Sequence, residues 1–417
     1  MGNQLQLTFV NFKKDSYIVV EGKQNVDRFF IIRSGKVIIS KEVEVVAEEG
    51  GGVLGPGDFF GVVSTMSAHS HIETAKALTD VTLISVHKEQ YGQLIQNNSP
   101  VAMKIILQFS KRLRYLDGAL SQLTLKHQPK ADADPSHLYF VGDYYLKQSK
   151  FNEAFYAYHQ YLKYCPQGEH TAEVKEKMMK ISPYVKGVVF DHSSVVFTRT
   201  YPNETMIFSE GEPGDELYII QRGSVKIVRI MDGKEVLIAV LKAGDIFGEM
   251  ALLESKPRAA SAVAYSDCTV MAVNKVNFER MITTQPQIIS RLTTLLSERI
   301  WLVYKQLANT LINDPIGRMY DVLLIQLEKN RIGLIPKTSY TFDFGPKELA
   351  NMIGIPTKEM QFIMSKILEN NKIRIENDKM QILDVIEIVK QSEYYHKMQR
   401  IENTRRENTV LKQIHIR

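Results

Sequence analysis

Phe247-Gly248-Glu249-Met250-Ala251-Leu252-Leu253, followed after a short polar spacer by Arg258-Ala259-Ala260, decides how this chain is read. Gly248 lets the backbone come close to a ligand. Met250, Ala251 and Leu252 continue into one short helical turn whose free N–H groups point at an anion. Glu249 is an acceptor-only carboxylate, suited to a sugar hydroxyl. Arg258 offers a planar fork of donors, suited to a pair of phosphate oxygens. Ala259 and Ala260 keep the pocket wall thin. Two strand-like runs, residues 235–241 and 269–273, frame the segment. The residues specify a pocket for a small anionic sugar phosphate.

Upstream stand Ile207-Phe208-Ser209-Glu210-Gly211, Gly214-Asp215, Leu217-Tyr218-Ile219-Ile220, Gly223 and Gly244-Asp245. These are short hydrophobic strands with glycines at the corners, as a β-roll requires. The whole resembles the phosphate-binding cassette of the cyclic-nucleotide-binding domain. The resemblance implies that Glu249 binds the ribose 2′-hydroxyl and Arg258 the cyclic phosphate. It also implies cAMP over cGMP, because Ala259 stands where cGMP binders often carry a hydroxyl.

The pattern occurs twice. Ile18-Val19-Val20-Glu21-Gly22, Phe29-Phe30-Ile31-Ile32 with Gly35, and Gly57-Asp58-Phe59-Phe60-Gly61 repeat the corners of the second copy. Val62 replaces Glu249, and His71 falls near the Arg258 position. Hydrogen bonds to charged groups contribute ~1.5–3 kcal/mol each. Losing two weakens binding ~10²–10⁴-fold. The first copy is therefore expected to be structural, or to hold another ligand.

The 417 residues leave room for several domains, with 44% hydrophobic and 24% charged residues and a net charge of +5. That charge permits nucleic-acid binding without arguing for it. No apolar run reaches membrane-spanning length, and the polar start, Met1 to Gln6, is not a signal peptide. Cys165 and Cys268 lie in different segments, so a reduced, cytoplasmic setting is the default. No nucleophile–base pair or metal-ligand spacing suggests an enzyme or a metal site.

Between the copies, Leu138, Gly142, Tyr145, Ala154, Tyr158, Tyr161 and Pro166 lie at the offsets of a tetratricopeptide repeat, with a third helix over 171–181. Such a segment is either a peptide-binding groove for a protein partner or a helical spacer. After the second copy, apolar residues from Ile288 to Leu307 recur at helical spacing through Trp301 and Tyr304. In the related family this helix caps the nucleotide and forms a homodimer interface, which implies that Tyr304 meets the base. Asp314-Pro315 starts a further helix as N-cap and first residue.

Residues 345–383 resemble a winged helix-turn-helix: a first helix from Pro346, a turn at Gly354, a second helix over 356–368 and a hairpin over 373–383. The order of parts over 186–390 resembles the catabolite-activator (Crp/Fnr) family of bacterial regulators. That implies double-stranded DNA as partner. Base contacts fall to Thr357, Lys358, Gln361 and Ser365, and phosphate contacts to Lys347, Lys366, Arg374 and Lys379. The second helix carries no arginine, unlike many family members, so guanine readout is altered.

The expected fold is α+β and multidomain: a β-roll over 1–125, the tetratricopeptide-like helices over 126–185, a cyclic-nucleotide-binding β-roll with its long helix over 186–312, a winged helix-turn-helix over 313–395 and a charged tail over 396–417. The expected function is a cyclic-nucleotide-responsive DNA-binding regulator. The alternative is a nucleotide sensor acting through protein contacts. A kinase regulatory subunit, which also has tandem β-rolls, does not account for the winged helix.

Overall fold

A computed structural model describes residues 8–41, 52–124, 135–186, 197–231, 233–353 and 357–414. Gly354 and Pro356, and the polar start from Met1, lie outside the described residues.

The first β-roll runs β1 (Thr8–Phe12), β2 (Tyr17–Val19), β3 (Arg28–Ser34), β4 (Val37–Ser40), β5 (Val53–Leu54), β6 (Phe59–Phe60), α1 (Val62–Ser67), β7 (Thr74–Ala77) and β8 (Val81–His87). It ends in α2 (Tyr91–Asn97) and the long α3 (Ser99–Thr124). After α4 (His137–Lys147), α5 (Phe151–Tyr164) and α6 (Thr171–Ile181), the plan repeats. The second roll has β9 (Thr198–Tyr201), β10 (Met206–Phe208), β11 (Glu216–Arg222), β12 (Ser224–Met231), β13 (Lys234–Lys242), β14 (Ile246–Phe247), α7 (Glu249–Glu254), β15 (Ser261–Ala264) and β16 (Cys268–Asn274). It ends in α8 (Lys275–Thr284) and the long α9 (Pro286–Thr310).

Sheet order is the same in both: β1-β8-β3-β6 with β2-β7-β4-β5, and β9-β16-β11-β14 with β10-β15-β12-β13. Period-two alternation explains why. In β8 and in β16 the buried positions follow one pattern, Val81 and Leu83 inward in the first, Cys268 and Val270 in the second. Gly35 and Gly223 turn the corner after β3 and β11 at φ 88° and 82°. A side chain at Gly223 would collide with the Asp267 carbonyl.

The C-terminal part holds α10 (Pro315–Lys329), β17 (Tyr340–Thr341), α11 (Pro346–Met352), α12 (Thr357–Leu368), β18 (Ile373–Glu376), β19 (Lys379–Ile382) and α13 (Val385–Ile414). The Asp314 side chain caps α10, accepting from the N–H groups of Ile316 and Gly317. The tail expected from 396 is no separate piece, since α13 crosses that point unbroken.

The two long helices fix the arrangement. α3 and α9 pack on each other and share one core with both rolls, built from Leu113 and Leu116, Leu296 and Ile300, and Phe29 and Leu217. The apolar stripe of α9, expected to face a second chain, is thus covered within this one. Tyr91 Oη and Thr293 Oγ1, 2.9 Å apart, tie α2 to α9. Trp301 of α9 stacks on His69 of the first roll, ring centroids 3.9 Å apart.

Burial, with Arg331 and Lys305 adding to it, holds the His69 imidazole down to about 4. A histidine depressed in the folded state stabilises the fold above its unfolded pKa of about 6.5, and this is lost as pH falls towards 4. The stability gap between wild type and His69→Phe, measured by denaturant titration, should therefore shift in favour of the variant as pH drops through that window. A gap that does not change with pH would show that His69 does not titrate in this contact.

No helix of the described residues is long and apolar enough to cross a membrane. Among the described residues, neither Cys165 nor the buried Cys268 forms a disulfide.

Candidate functional site

Gly248 opens α7 at φ 77°, a left-handed conformation that glycine adopts without strain. Glu249 follows, 2% exposed, and accepts from Arg299 Nη1 of α9 at 3.1 Å. Arg258 is 6% exposed. Its N–H donates to the Glu212 carbonyl at 2.8 Å, and its own carbonyl accepts from Gly211 N–H at 2.9 Å. Its guanidinium lies 4.2 Å from the Phe208 ring centroid and 5.6 Å from that of Tyr218, while Nη1 donates to the Gly248 carbonyl at 2.6 Å. Arg258 Nε has no hydrogen-bond partner. A buried unpaired donor costs about 1–3 kcal/mol, a cost that an acceptor at Nε would relieve. Gly214 leaves the room: a side chain there would run into the guanidinium.

Sequence reasoning placed Gly248, Glu249, Met250, Ala251, Leu252, Arg258, Ala259 and Ala260 together, and the structure gathers them around α7 and the start of β15. Tyr304 does not join them. It is 3% exposed and its hydroxyl donates to Glu21 of the first roll at 3.1 Å. The reason is the crossing of the long helices: α9 runs against α1, and α3 runs against α7. From α3, Ser110 and Arg114 donate to Glu254 at 2.7 and 2.9 Å, and Arg114 also reaches the Pro257 carbonyl at 3.3 Å.

Asp117 stands at the place in α3 that Tyr304 holds in α9, counted from the first residue of each helix. It lies 3.7 Å from Arg299, the arginine that binds Glu249. Its side chain is 32% exposed, and burial, with Glu249 adding to it, raises its pKa against the opposing pull of Arg299. The sequence held this signal in the repeat, since two tandem rolls can exchange their long helices.

The first cassette keeps the backbone and changes the chemistry. Gly61 opens α1 at φ 80°, and His71 repeats the two backbone bonds of Arg258, with Gly22 N–H at 2.8 Å and the Lys23 carbonyl at 3.0 Å. His71 therefore occupies the arginine position, and Val62 is a buried apolar residue in place of Glu249. Sequence reasoning missed Glu73. This buried carboxylate accepts from Gly61 N–H at 3.1 Å and lies 3.5 Å from Arg112 of α3. The second roll has Ala260 at that position. The carboxylate has moved from the head of the cassette helix to the opposite wall, where it covers the backbone donor itself.

In the C-terminal part, β17-β19-β18 form a sheet beside α11 and α12. The β18–β19 turn is closed by Asn377 and Asp378 at φ 50° and 58°, a tight hairpin of the primed kind. Lys347, Gln361, Ser365 and Arg374 are exposed. Lys366 pairs with Glu369 at 2.8 Å and Lys379 with Asp343 at 3.1 Å. The side chains of Thr357 and Lys358 lie outside the description. Among the described residues no cluster of side chains could hold a metal.

Residues 9–98 and 198–285, which contain the two cassettes, match the cyclic nucleotide-binding domain family. A CRP-like cAMP-activated global transcriptional regulator of Mycobacterium tuberculosis is 28% identical over 44% of this chain and 83% of its own length. The chain carries two cyclic nucleotide-binding domains and is similar to CRP-like regulators. The cyclic AMP receptor protein of Thermus thermophilus is 29% identical over 47% of this chain and 90% of its own. The solved catabolite activator protein of that organism is 25% identical, with a TM-score of 0.28 over 48% of this chain and 90% of its own.

Proposed function

We propose that this protein is a cyclic-nucleotide-responsive transcription regulator of the cytoplasm, with no catalytic activity of its own. Its second roll binds one cyclic nucleotide, cAMP in preference to cGMP, and its C-terminal part is a winged helix-turn-helix that binds double-stranded DNA. The observation that carries the reading is Arg258, buried with an unpaired Nε and bonded to the Gly248 carbonyl at the head of the helix that Glu249 begins. The cAMP preference rests on Ala259, which offers no hydroxyl. In this reading Asp117 replaces Tyr304 as the long-helix residue nearest the base, and a carboxylate accepts from an exocyclic amino group.

The first roll is structural, because Glu73 already satisfies the donor that a ligand would need. The helices α4–α6 are tetratricopeptide-like in pattern and serve as a spacer, since α5 lies on the second roll rather than facing solvent as a groove. On the DNA side, Gln361 and Ser365 of α12 read bases, with Thr357 and Lys358 at the start of that helix. Lys347, Lys366, Arg374 and Lys379 contact phosphates. A homodimer that presents two winged helices uses a surface other than the α9 stripe.

Calorimetry of cAMP into the full-length protein should give a single site per chain, with cGMP weaker. Retention on DNA should rise when cAMP is added. Two sites per chain would overturn the structural reading of the first roll, and tighter cGMP binding the ligand preference.

A specific observation favours a second reading. Phe362 is 65% exposed in the middle of α12, where an apolar ring suits a protein surface. Equal, salt-limited affinity for all DNA with and without cAMP would favour this sensor acting through protein contacts.

A further inference from the structure

The inner face of α5 packs on the second roll, where Tyr156 belongs to the same buried cluster as Met206, Val228 and Val263. Tyr156 is 3% exposed, with its hydroxyl 3.1 Å from Glu212 Oε2 and 3.1 Å from the Ile207 carbonyl. Glu212 Oε2 also accepts from Ser209 N–H at 2.9 Å. The backbone of this same turn grips Arg258, through Arg258 N–H to the Glu212 carbonyl and Gly211 N–H to the Arg258 carbonyl. On the outer side His137 of α4 packs so closely that a side chain at Gly211 would meet it at 3.3 Å. The turn over 209–212 is therefore held from the helical segment on one side and holds the phosphate arginine on the other.

We propose that α5 governs the phosphate grip of the second pocket: Tyr156 is a positioning residue that holds Glu212, and Glu212 sets the place and the charge balance of Arg258. The inference rests on the reading that this pocket binds a cyclic nucleotide. The titratable and charged groups facing Glu212 are Tyr156 and Lys163 from α5, Tyr218 from β11, and Arg258 ahead of β15. Burial pushes the Glu212 carboxyl up to about 7, opposed by the Ser209 N–H, Arg258 and the Tyr156 hydroxyl. When ionised, Glu212 draws on the charge of Arg258 and repels an incoming phosphate. Once protonated, it leaves the guanidinium to the ligand. The cyclic phosphate keeps its single charge throughout, so affinity falls as pH rises through about 7. Removing the Tyr156 hydroxyl takes away a donor to the ionised form and moves that midpoint to higher pH.

The test is calorimetry of cAMP into the full-length protein between about pH 6 and pH 8, a window centred on the Glu212 carboxyl. Wild type should weaken roughly tenfold across the window, the effect of one charge beside a shared guanidinium. Glu212→Gln should bind at all pH values as wild type does at the acid end. Tyr156→Phe should shift the midpoint upward. A mere folding defect would lower the active fraction and leave the midpoint in place. A flat wild-type profile, or an unmoved midpoint in Tyr156→Phe, overturns the inference and leaves the nucleotide reading intact. Failure of all three proteins to bind cAMP or cGMP at any pH overturns the reading, and the inference with it.

Discussion

Arg258→Ala should weaken cAMP binding ~30- to ~4,000-fold, which corresponds to ~2–5 kcal/mol for leaving a desolvated charge without its partner. The guanidinium is almost fully enclosed and lies over Phe208 with one nitrogen unpaired, so water cannot replace it when a phosphate enters. Arg258→Lys should recover part of the loss, since it restores the charge but not the planar fork. Because Arg258 also bonds the Gly248 carbonyl, thermal unfolding of each variant separates a lost ligand contact from a collapsed cassette. Binding of Arg258→Ala at wild-type strength would remove the site from this pocket.

The cassette was legible because it is local. Gly248, Glu249 and Arg258 lie within one loop and one short helix, and the roles proposed for them follow from glycine conformation and side-chain chemistry. The corners of both rolls were legible for the same reason. The partner of each long helix was not. An apolar stripe shows that a helix face is buried, but not what buries it. Tyr304 finds Glu21, 283 residues away, only because the two rolls swap helices. Glu73 could have been found by comparing the repeats position by position. Glu249 and Ala260 in one roll stand against Val62 and Glu73 in the other, so the carboxylate is displaced rather than lost. Tyr156 and Glu212 carried no signal, since nothing in either segment says that α5 lies on the turn beside Arg258.

Trp301→Ala should destabilise the full-length protein by ~3–5 kcal/mol, the range for removing a large aromatic from a closed core. Trp301 is 1% exposed and sits where the rolls meet, stacked on His69 at 3.9 Å with Lys305 Nζ 5.5 Å from its ring. Neighbours on both rolls line the space it leaves, so neither can close it without shifting the other. The same core contains Leu113 of α3 and Leu296 of α9, and the rolls should therefore unfold in one transition. Trp301 is the only tryptophan, so the transition is followed by circular dichroism, with wild-type fluorescence as a check on coincidence. Tyr304→Phe, which removes the hydroxyl that bonds Glu21, should cost ~1 kcal/mol. Saturating cAMP should raise the midpoint of wild type by mass action on the folded state. If Trp301→Ala unfolds at the wild-type midpoint, α9 does not clamp the first roll. A shift of several degrees in a single transition is what a covalent pair of rolls sharing two crossed helices requires.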